Sequence, residues 1–392
     1  MKIDPYKSKE RYLKWKKDVE SGIPGISEFN SCLIKRYFSD MENGINISSV
    51  KKGSRSYMRL IALRTRVLFL VREFERRFKL EKITEITEEQ LCSFFVDMRN
   101  GNITKSNGKN FIAIRDYICD FKAFWHWHQK VNRKKGTEIL DITLDLDSRG
   151  GKPVWVYLNE EEVKKLCDNA KYEYAVLIWF LFDTGIRSPT ELINVKVSDL
   201  YNDFRELQIR EETSKTFGRK IKLLLCKEKL KEYIRNKNLQ QDDYLFDICP
   251  TVVNRYLKRL AYRVFGDKLS PAGERYSKLT MYDFRHISCC YWLPRYKSES
   301  ALKYRFGWKK SDKIHYYSEL LGMSDTIREE DLLVDVTKTE IEKKLLQSEK
   351  KNEILQERMD TMEKTLKELS EFIKIANMKS DILEKQYEKA RI

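Results

Sequence analysis

Apolar residues recur at three- and four-residue intervals along most of this chain, and that spacing predicts a molecule built mainly of helices. Tyr12, Trp15, Phe29, Leu33 and Tyr37 keep a helical step through the first fifty residues, interrupted by Gly22-Ile23-Pro24-Gly25. Helical pieces joined by turns are expected there. The run from Ser54 toward Leu80 reads as one long helix, followed by a pair over Glu88–Met98 and Phe111–Val131. Phe121, Phe124, Trp125 and Trp127 sit at spacings that suit a buried stripe. Periodicity fades over 132–155, a basic stretch marked by Gly136, Gly150, Gly151 and Pro153, so an interdomain linker is placed at 136–156.

Beyond the linker the period changes. Asn159 can cap a helix whose third residue, Glu162, reaches back to it. After the apolar helix ending near Phe182, Leu207–Arg210 and Lys220–Leu225 alternate as short strands around Thr213-Ser214-Lys215-Thr216-Phe217-Gly218, which puts Lys215 on or beside a hairpin turn. Helical patterns return over Val252–Val264, Asp283–Leu293 and Ser298–Phe306. From Thr339 onward a heptad seam runs through Ile341, Leu345, Ser348, Asn352, Leu355, Met359, Met362, Leu366, Leu369, Ile373, Ala376, Ser380, Leu383, Tyr387 and Ala390. Twelve of these fifteen are apolar, which predicts a coiled coil about 75 Å long, with Asn352 as a register device. An amphipathic helix folded back on its own domain is the rival. The expected divisions are 1–135, 136–156, 157–325 and 326–392.

Charge then narrows the partners. The 392 residues carry 76 Lys+Arg against 60 Asp+Glu, a formal net charge of +16, and an aromatic content that argues against disorder. A polyanion such as nucleic acid is the expected partner. On the 54–80 helix, Arg55, Arg59 and Arg66 fall within roughly 40° of one another, a stripe able to face phosphates or simply to be solvated. Eight cysteines show no Cys-x-x-Cys spacing and are expected to be buried, reduced thiols. No apolar run approaches the roughly 20 residues that span a bilayer, so a cytoplasmic, nucleoid-associated protein without a membrane partner is expected.

Six residues carry candidate chemistry: Arg187, Lys215, Tyr282, Arg285, Trp308 and Tyr317. Two arginines can neutralise a phosphate, a lysine can protonate a departing oxygen, and a tyrosine can attack phosphorus. No acidic cluster offers itself for Mg²⁺. Either arginine could instead pair with a carboxylate such as Glu191 or Asp283, and Arg219 and Lys220 compete with Lys215. Tyr316 is the rival of Tyr317, although neighbours on a helix point about 100° apart and cannot both reach one phosphate.

Thr184-Gly185-Ile186-Arg187, the hairpin Lys215, Tyr282-Asp283-Phe284-Arg285 and Gly307-Trp308, with Tyr317 nine residues after Trp308, resemble the boxes of the tyrosine recombinase (phage integrase) family, over roughly 157–320. The resemblance implies a mainly α fold with a small β-hairpin or sheet in the catalytic (α+β) domain, a helical N-terminal core-binding domain, and here a C-terminal coiled-coil helix. It also implies a site-specific DNA recombinase, an integrase that works through a 3′-phosphotyrosine without metal, ATP or other cofactor, as a tetramer on double-stranded DNA. Arg187 and Arg285 would clamp the phosphate, Lys215 would be the general acid and Tyr317 the nucleophile. Tyr282 stands where the family has His, as in one branch of archaeal plasmid and virus integrases; a phenol suits positioning better than base work near neutral pH. By the same resemblance His286, following the arginine, is structural or stands one layer behind the reacting groups. Glu191 stands four residues after Arg187 instead of the usual three, which puts its role in doubt. A catalytically idle DNA-binding or bridging protein and a chromosome-dimer resolvase are the alternatives.

Overall fold

The computed structural model describes residues 3–45, 47, 52–150, 154–296 and 298–321, and in the tail 348–349, 351–352, 355–371 and 373. Two hydrophobic cores divide residues 3–321, one drawing on Tyr12 to Leu146 and the other on Trp155 to Tyr317. The first is wholly helical: α1 (Ser8–Asp18), α2 (Glu28–Glu42), α3 (Tyr57–Phe78), α4 (Glu88–Asn100) and α5 (Ile114–Arg133). Local signals set the ends. Ser56 caps α3 through the Arg59 N–H, and Thr87 and Gln90 close a capping box on α4. Phe121, Phe124, Trp125 and Trp127 are buried as the periodicity predicts. Both indoles stay satisfied, Trp127 Nε1 donating to Asp40 and Trp125 Nε1 to the Leu140 carbonyl.

The Leu140 contact corrects the linker. Ile142 and Leu146 belong to the first core, so the chain doubles back along α5 before leaving it, and the transition lies between Leu146 and Trp155. Apolar side chains in an otherwise polar stretch were its only trace in the pattern.

The second core is formed by α6 (Glu160–Asp168), α7 (Tyr172–Thr184), α8 (Lys227–Asn236), α9 (Pro250–Phe265), α10 (Asp283–Trp292), α11 (Glu299–Phe306) and α12 (Asp312–Leu320), with a three-stranded antiparallel sheet in the order β1 (Leu200–Tyr201), β2 (Glu206–Ile209), β3 (Arg219–Lys222). Asn159 and Glu162 make the expected capping box on α6. The second strand is shorter than its apolar run suggests. The N–H groups of Leu224, Leu225 and Cys226 donate to the buried carboxylate of Asp183 rather than to a neighbouring strand, so the chain turns into α8. The hairpin register pairs Leu207 with Ile221 and Ile209 with Arg219, which sends Arg219 inward with the apolar face.

An N-terminal arm closes onto the second core. Ile3 N–H donates to Asn194 Oδ1 at 2.7 Å, and Asn194 Nδ2 donates back to the Ile3 carbonyl at 3.0 Å. All eight cysteines are free thiols; Cys167, Cys226, Cys289 and Cys290 are buried as expected, whereas Cys32, Cys119 and Cys249 are exposed. In the tail, 355–371 is helical, and the seam residues Leu355, Met359, Met362, Leu366, Leu369 and Ile373 are exposed. The expected seam positions at Ile341, Leu345 and from Ala376 onward lie outside the described residues.

Candidate active site

Two glycine turns position the chemistry. Gly185 ends α7 in the left-handed region at φ 56°, and a β-carbon there would fall 2.2 Å from Phe306 and 2.8 Å from the Ser288 hydroxyl. Gly307 ends α11 at φ 61°, where a β-carbon would lie 3.1 to 3.3 Å from Arg219 Nη1, Thr216 Oγ1 and Arg187 Nη1. These turns let the boxes around Arg187 and Trp308 meet. Arg187 Nη2 donates to the Gly307 carbonyl at 2.8 Å, and Arg285 donates to the Phe306 carbonyl and, at 2.6 Å, to that of Gly185. Consecutive carbonyls of one turn thus hold the two predicted arginines.

A buried carboxylate orders the cluster. Glu191, 1% exposed, accepts from the Arg187 backbone at 3.1 Å and from Arg187 Nη1 at 2.7 Å. It also takes a two-pronged bond from Arg219 at 3.1 and 2.8 Å. Burial alone would raise this carboxyl, but the bonds and charge of Arg219, then Arg187, overcome it and hold it at about 2. The four-residue spacing therefore keeps Glu191 in the site, and Arg187 pairs with it while half-buried. Asp283 does not pair with Arg285; it accepts from Thr280 and from the Val156 N–H. Burial, then the charges of Arg187 and Arg219, push the Arg285 guanidinium down to about 10, still protonated at neutral pH.

The β2–β3 loop separates the candidate lysines. Ser214 Oγ donates to Glu191 at 3.2 Å and Thr216 Oγ1 to the Gly307 carbonyl at 2.9 Å, so both neighbours of Lys215 are tied to the arginine cluster. Lys215 itself is exposed and makes no hydrogen bond or ion pair among the described residues. Arg219, 1% exposed, is bound to Glu191 and to the Arg305 carbonyl. Lys220 lies over the Tyr201 ring at 6.0 Å.

The tyrosines resolve in the same way. Tyr317, 2% exposed, stacks on Trp308 with centroids 5.9 Å apart and planes 9° apart, and Trp308 stacks in turn on Phe306. The Arg285 guanidinium lies 5.8 Å from the Trp308 centroid, and the indole N–H makes no hydrogen bond among the described residues. Tyr316 turns its hydroxyl to Trp155 Nε1. Burial, then Cys289, raise the Tyr317 phenol well above its ordinary range, with Arg285 pulling the other way. Its hydroxyl lies 2.5 Å from His286 Nδ1. Tyr282 is 45% exposed and meets His286 only edge-on, at 5.3 Å. His286 and Arg219 are the residues whose part in the site differs from the sequence expectation, which gave His286 a supporting place and Arg219 only a rivalry with Lys215. The inward face of β3 and the position of His286 beside Arg285 were the available signals.

The N-terminal arginine stripe closes on carboxylates. Arg59 pairs with Asp120, which is buried, and Arg66 bridges Asp120 at 2.9 Å and Asp116 at 2.6 Å, pinning α3 to α5. Arg55 lies before α3 with its N–H on the Met41 carbonyl. Among the described residues no three His, Cys, Asp or Glu side chains gather where a metal ion could be held, and no helix is long and apolar enough to cross a membrane.

No family model matches the sequence, and no curated protein matches it. Solved structures do. XerH site-specific recombinase bound to palindromic difH substrate aligns over 67% of this chain and 77% of its own at 15% identity, with a TM-score of 0.52. A lambda integrase dimer bound to a COC′ core site aligns over 79% and 98% at 14% identity, also at 0.52. The Tn1549 transposon integrase in complex with transposon right end DNA aligns over 66% and 88% at 14%, with a TM-score of 0.50. At these identities the likeness is one of fold: mostly helical, with a small antiparallel sheet.

Proposed function

We propose that this protein is a site-specific DNA recombinase, an integrase that cleaves and rejoins double-stranded DNA through Tyr317. One observation carries the reading. Arg187 and Arg285, from boxes 98 residues apart, are bound to neighbouring carbonyls of the turn that also presents Trp308, onto whose ring Tyr317 stacks. The guanidiniums would neutralise the two non-bridging oxygens of a phosphate where charge builds in the transition state. The Trp308 N–H would add a donor. Tyr317 would attack phosphorus to form a 3′-phosphotyrosine, while Lys215 gives its proton to the departing 5′ oxygen. One phosphodiester is exchanged for another, so no ATP enters, and three protein cations serve where a metal could.

The helical N-terminal half would close on the duplex, with Arg55 and the exposed edge of Arg59 as phosphate contacts; Arg66 spends its charge between two carboxylates. The heptad tail would associate copies of the chain within a tetramer on the paired sites. A truncation after Val336 that leaves the solution mass per assembly unchanged would remove that role. The recombinase itself is tested with a nicked suicide duplex carrying a candidate attachment site, in EDTA, resolved on a denaturing gel. Wild type and Tyr316→Phe are expected to form a covalent adduct that Tyr317→Phe lacks. Tight binding with no adduct from any form would establish the idle DNA-binding protein instead, and a demand for one chromosomal site would favour a resolvase.

A further inference from the structure

We propose that His286 is the catalytic base and acid for Tyr317, filling from the residue after Arg285 the role left open by Tyr282. This rests on the recombinase reading and adds the identity of the proton acceptor. A buried phenol attacks phosphorus only as its proton leaves, and the leaving proton needs an acceptor within about 2.6–3.2 Å. His286 Nδ1 is at 2.5 Å from the Tyr317 oxygen. In this arrangement the phenol donates and Nδ1 accepts, so the neutral ring carries its hydrogen on Nε2. Two rings pack on the imidazole. Trp155 lies against it with centroids 4.9 Å apart and planes 30° apart, and Tyr282 meets it edge-on at 5.3 Å. Trp155 directs its own N–H to the Tyr316 hydroxyl.

Tyr282, by contrast, is a phenol with no basic nitrogen to offer. The imidazole packs against Tyr282 beside α10, Tyr317 from α12 and uncharged Trp155 from the linker end; Arg285 is its chain neighbour and Cys289 follows it on α10, with Asp283 bonded to Val156 next to Trp155. Arg285 is the fixed cation among them. In cleavage the Tyr317 O–H proton passes to Nδ1, the tyrosyl oxygen bonds to phosphorus, the bond to the 5′ oxygen breaks, and that oxygen takes a proton from Lys215. Religation runs the same transfers backwards: the imidazolium returns its proton to the leaving tyrosyl oxygen.

The test is single-turnover adduct formation on the nicked suicide duplex from pH 5 to 9, with wild type, His286→Asn and Tyr282→Phe, and with 3,5-difluorotyrosine installed at position 317. Wild type is expected to lose rate on the acid side of this range, where a protonated imidazole can no longer accept the phenol's proton. His286→Asn should be slower by about 10²–10⁴-fold and lack that acid limb. Tyr282→Phe should keep the limb whatever its rate. Fluorination acidifies the phenol, so it should recover part of the rate in His286→Asn, which a lost packing contact would not allow. An acid limb retained in His286→Asn, its disappearance in Tyr282→Phe, or a deficit that fluorination does not relieve overturns the assignment while wild-type adduct preserves the recombinase reading. Absence of adduct from wild type overturns both.

Discussion

The two cores use arginine in opposite ways. In the helical N-terminal half, Arg59 and Arg66 reach from α3 to carboxylates on α5 at a partly open surface, and their charge is balanced where they lie. In the second half, Arg285 binds only backbone carbonyls among the described residues, while Arg187 and Arg219 share the single carboxylate of Glu191, Arg187 reaching the Gly307 carbonyl as well. Arginines matched one for one by carboxylates are braces; three guanidiniums around one carboxylate, held otherwise by carbonyl dipoles, keep a net positive field for an incoming anion. The difference lies in the acceptor, not in the arginine.

The largest test of this contrast falls on the exposed cation that the second half leaves unmatched. Lys215→Ala should slow adduct formation by about 10²–10⁴-fold, change stability by no more than about 0.5 kcal/mol, and recover on a duplex whose 5′ leaving oxygen is replaced by sulfur. If Lys220→Ala reproduced that pattern, the general acid would move to Lys220. Next comes the support. Glu191→Gln leaves two buried guanidiniums without their carboxylate and should cost about 3–5 kcal/mol by denaturant unfolding. Its pH dependence has a definite sign. A carboxyl held at about 2 against an ordinary 4.5 stabilises the fold above about pH 4.5, by about 3 kcal/mol, and that stabilisation disappears as pH falls toward 2. Glu191→Gln should flatten wild type's acid loss over this window; an equal loss in both proteins would place the titrating group elsewhere.

The smallest effect separates brace from contact in the other half. Arg55→Ala should reduce the salt dependence of DNA affinity by about 0.9 in slope, whereas Arg66→Ala should leave the slope alone and lower stability by about 1 kcal/mol. A reduced slope for Arg66→Ala would erase the distinction drawn here.

How much of this was legible in the sequence depended on range. Features fixed within a few residues were readable: the Asn159–Glu162 box, the turn after α7, and the buried aromatic stripe of α5. Arg187, Arg285, Trp308 and Tyr317 could be named one by one, and the structure brings them together. The hydrogen bond from Tyr317 to His286 spans 31 residues and depends on how α12 docks against α10, which no local period encodes. Arg219 hid behind its charge, since only the strand register turns it inward beside Ile221. Leu223–Leu225 misled because an apolar run looks like strand, and the carboxylate that claims its amides lies some forty residues earlier.

The pair of hydrogen bonds between Ile3 and Asn194 bears on how this protein can be dissected. Asn194 is buried directly behind the loop that carries Arg187, and its side chain also holds the Thr190 carbonyl. A fragment cut cleanly at the linker would be born with that amide open on two sides, a defect worth about 1–3 kcal/mol at the back of the Arg187 loop. The first few residues are thus a component of the distant second core, and they should travel with it in any excised piece or be left untagged in the whole.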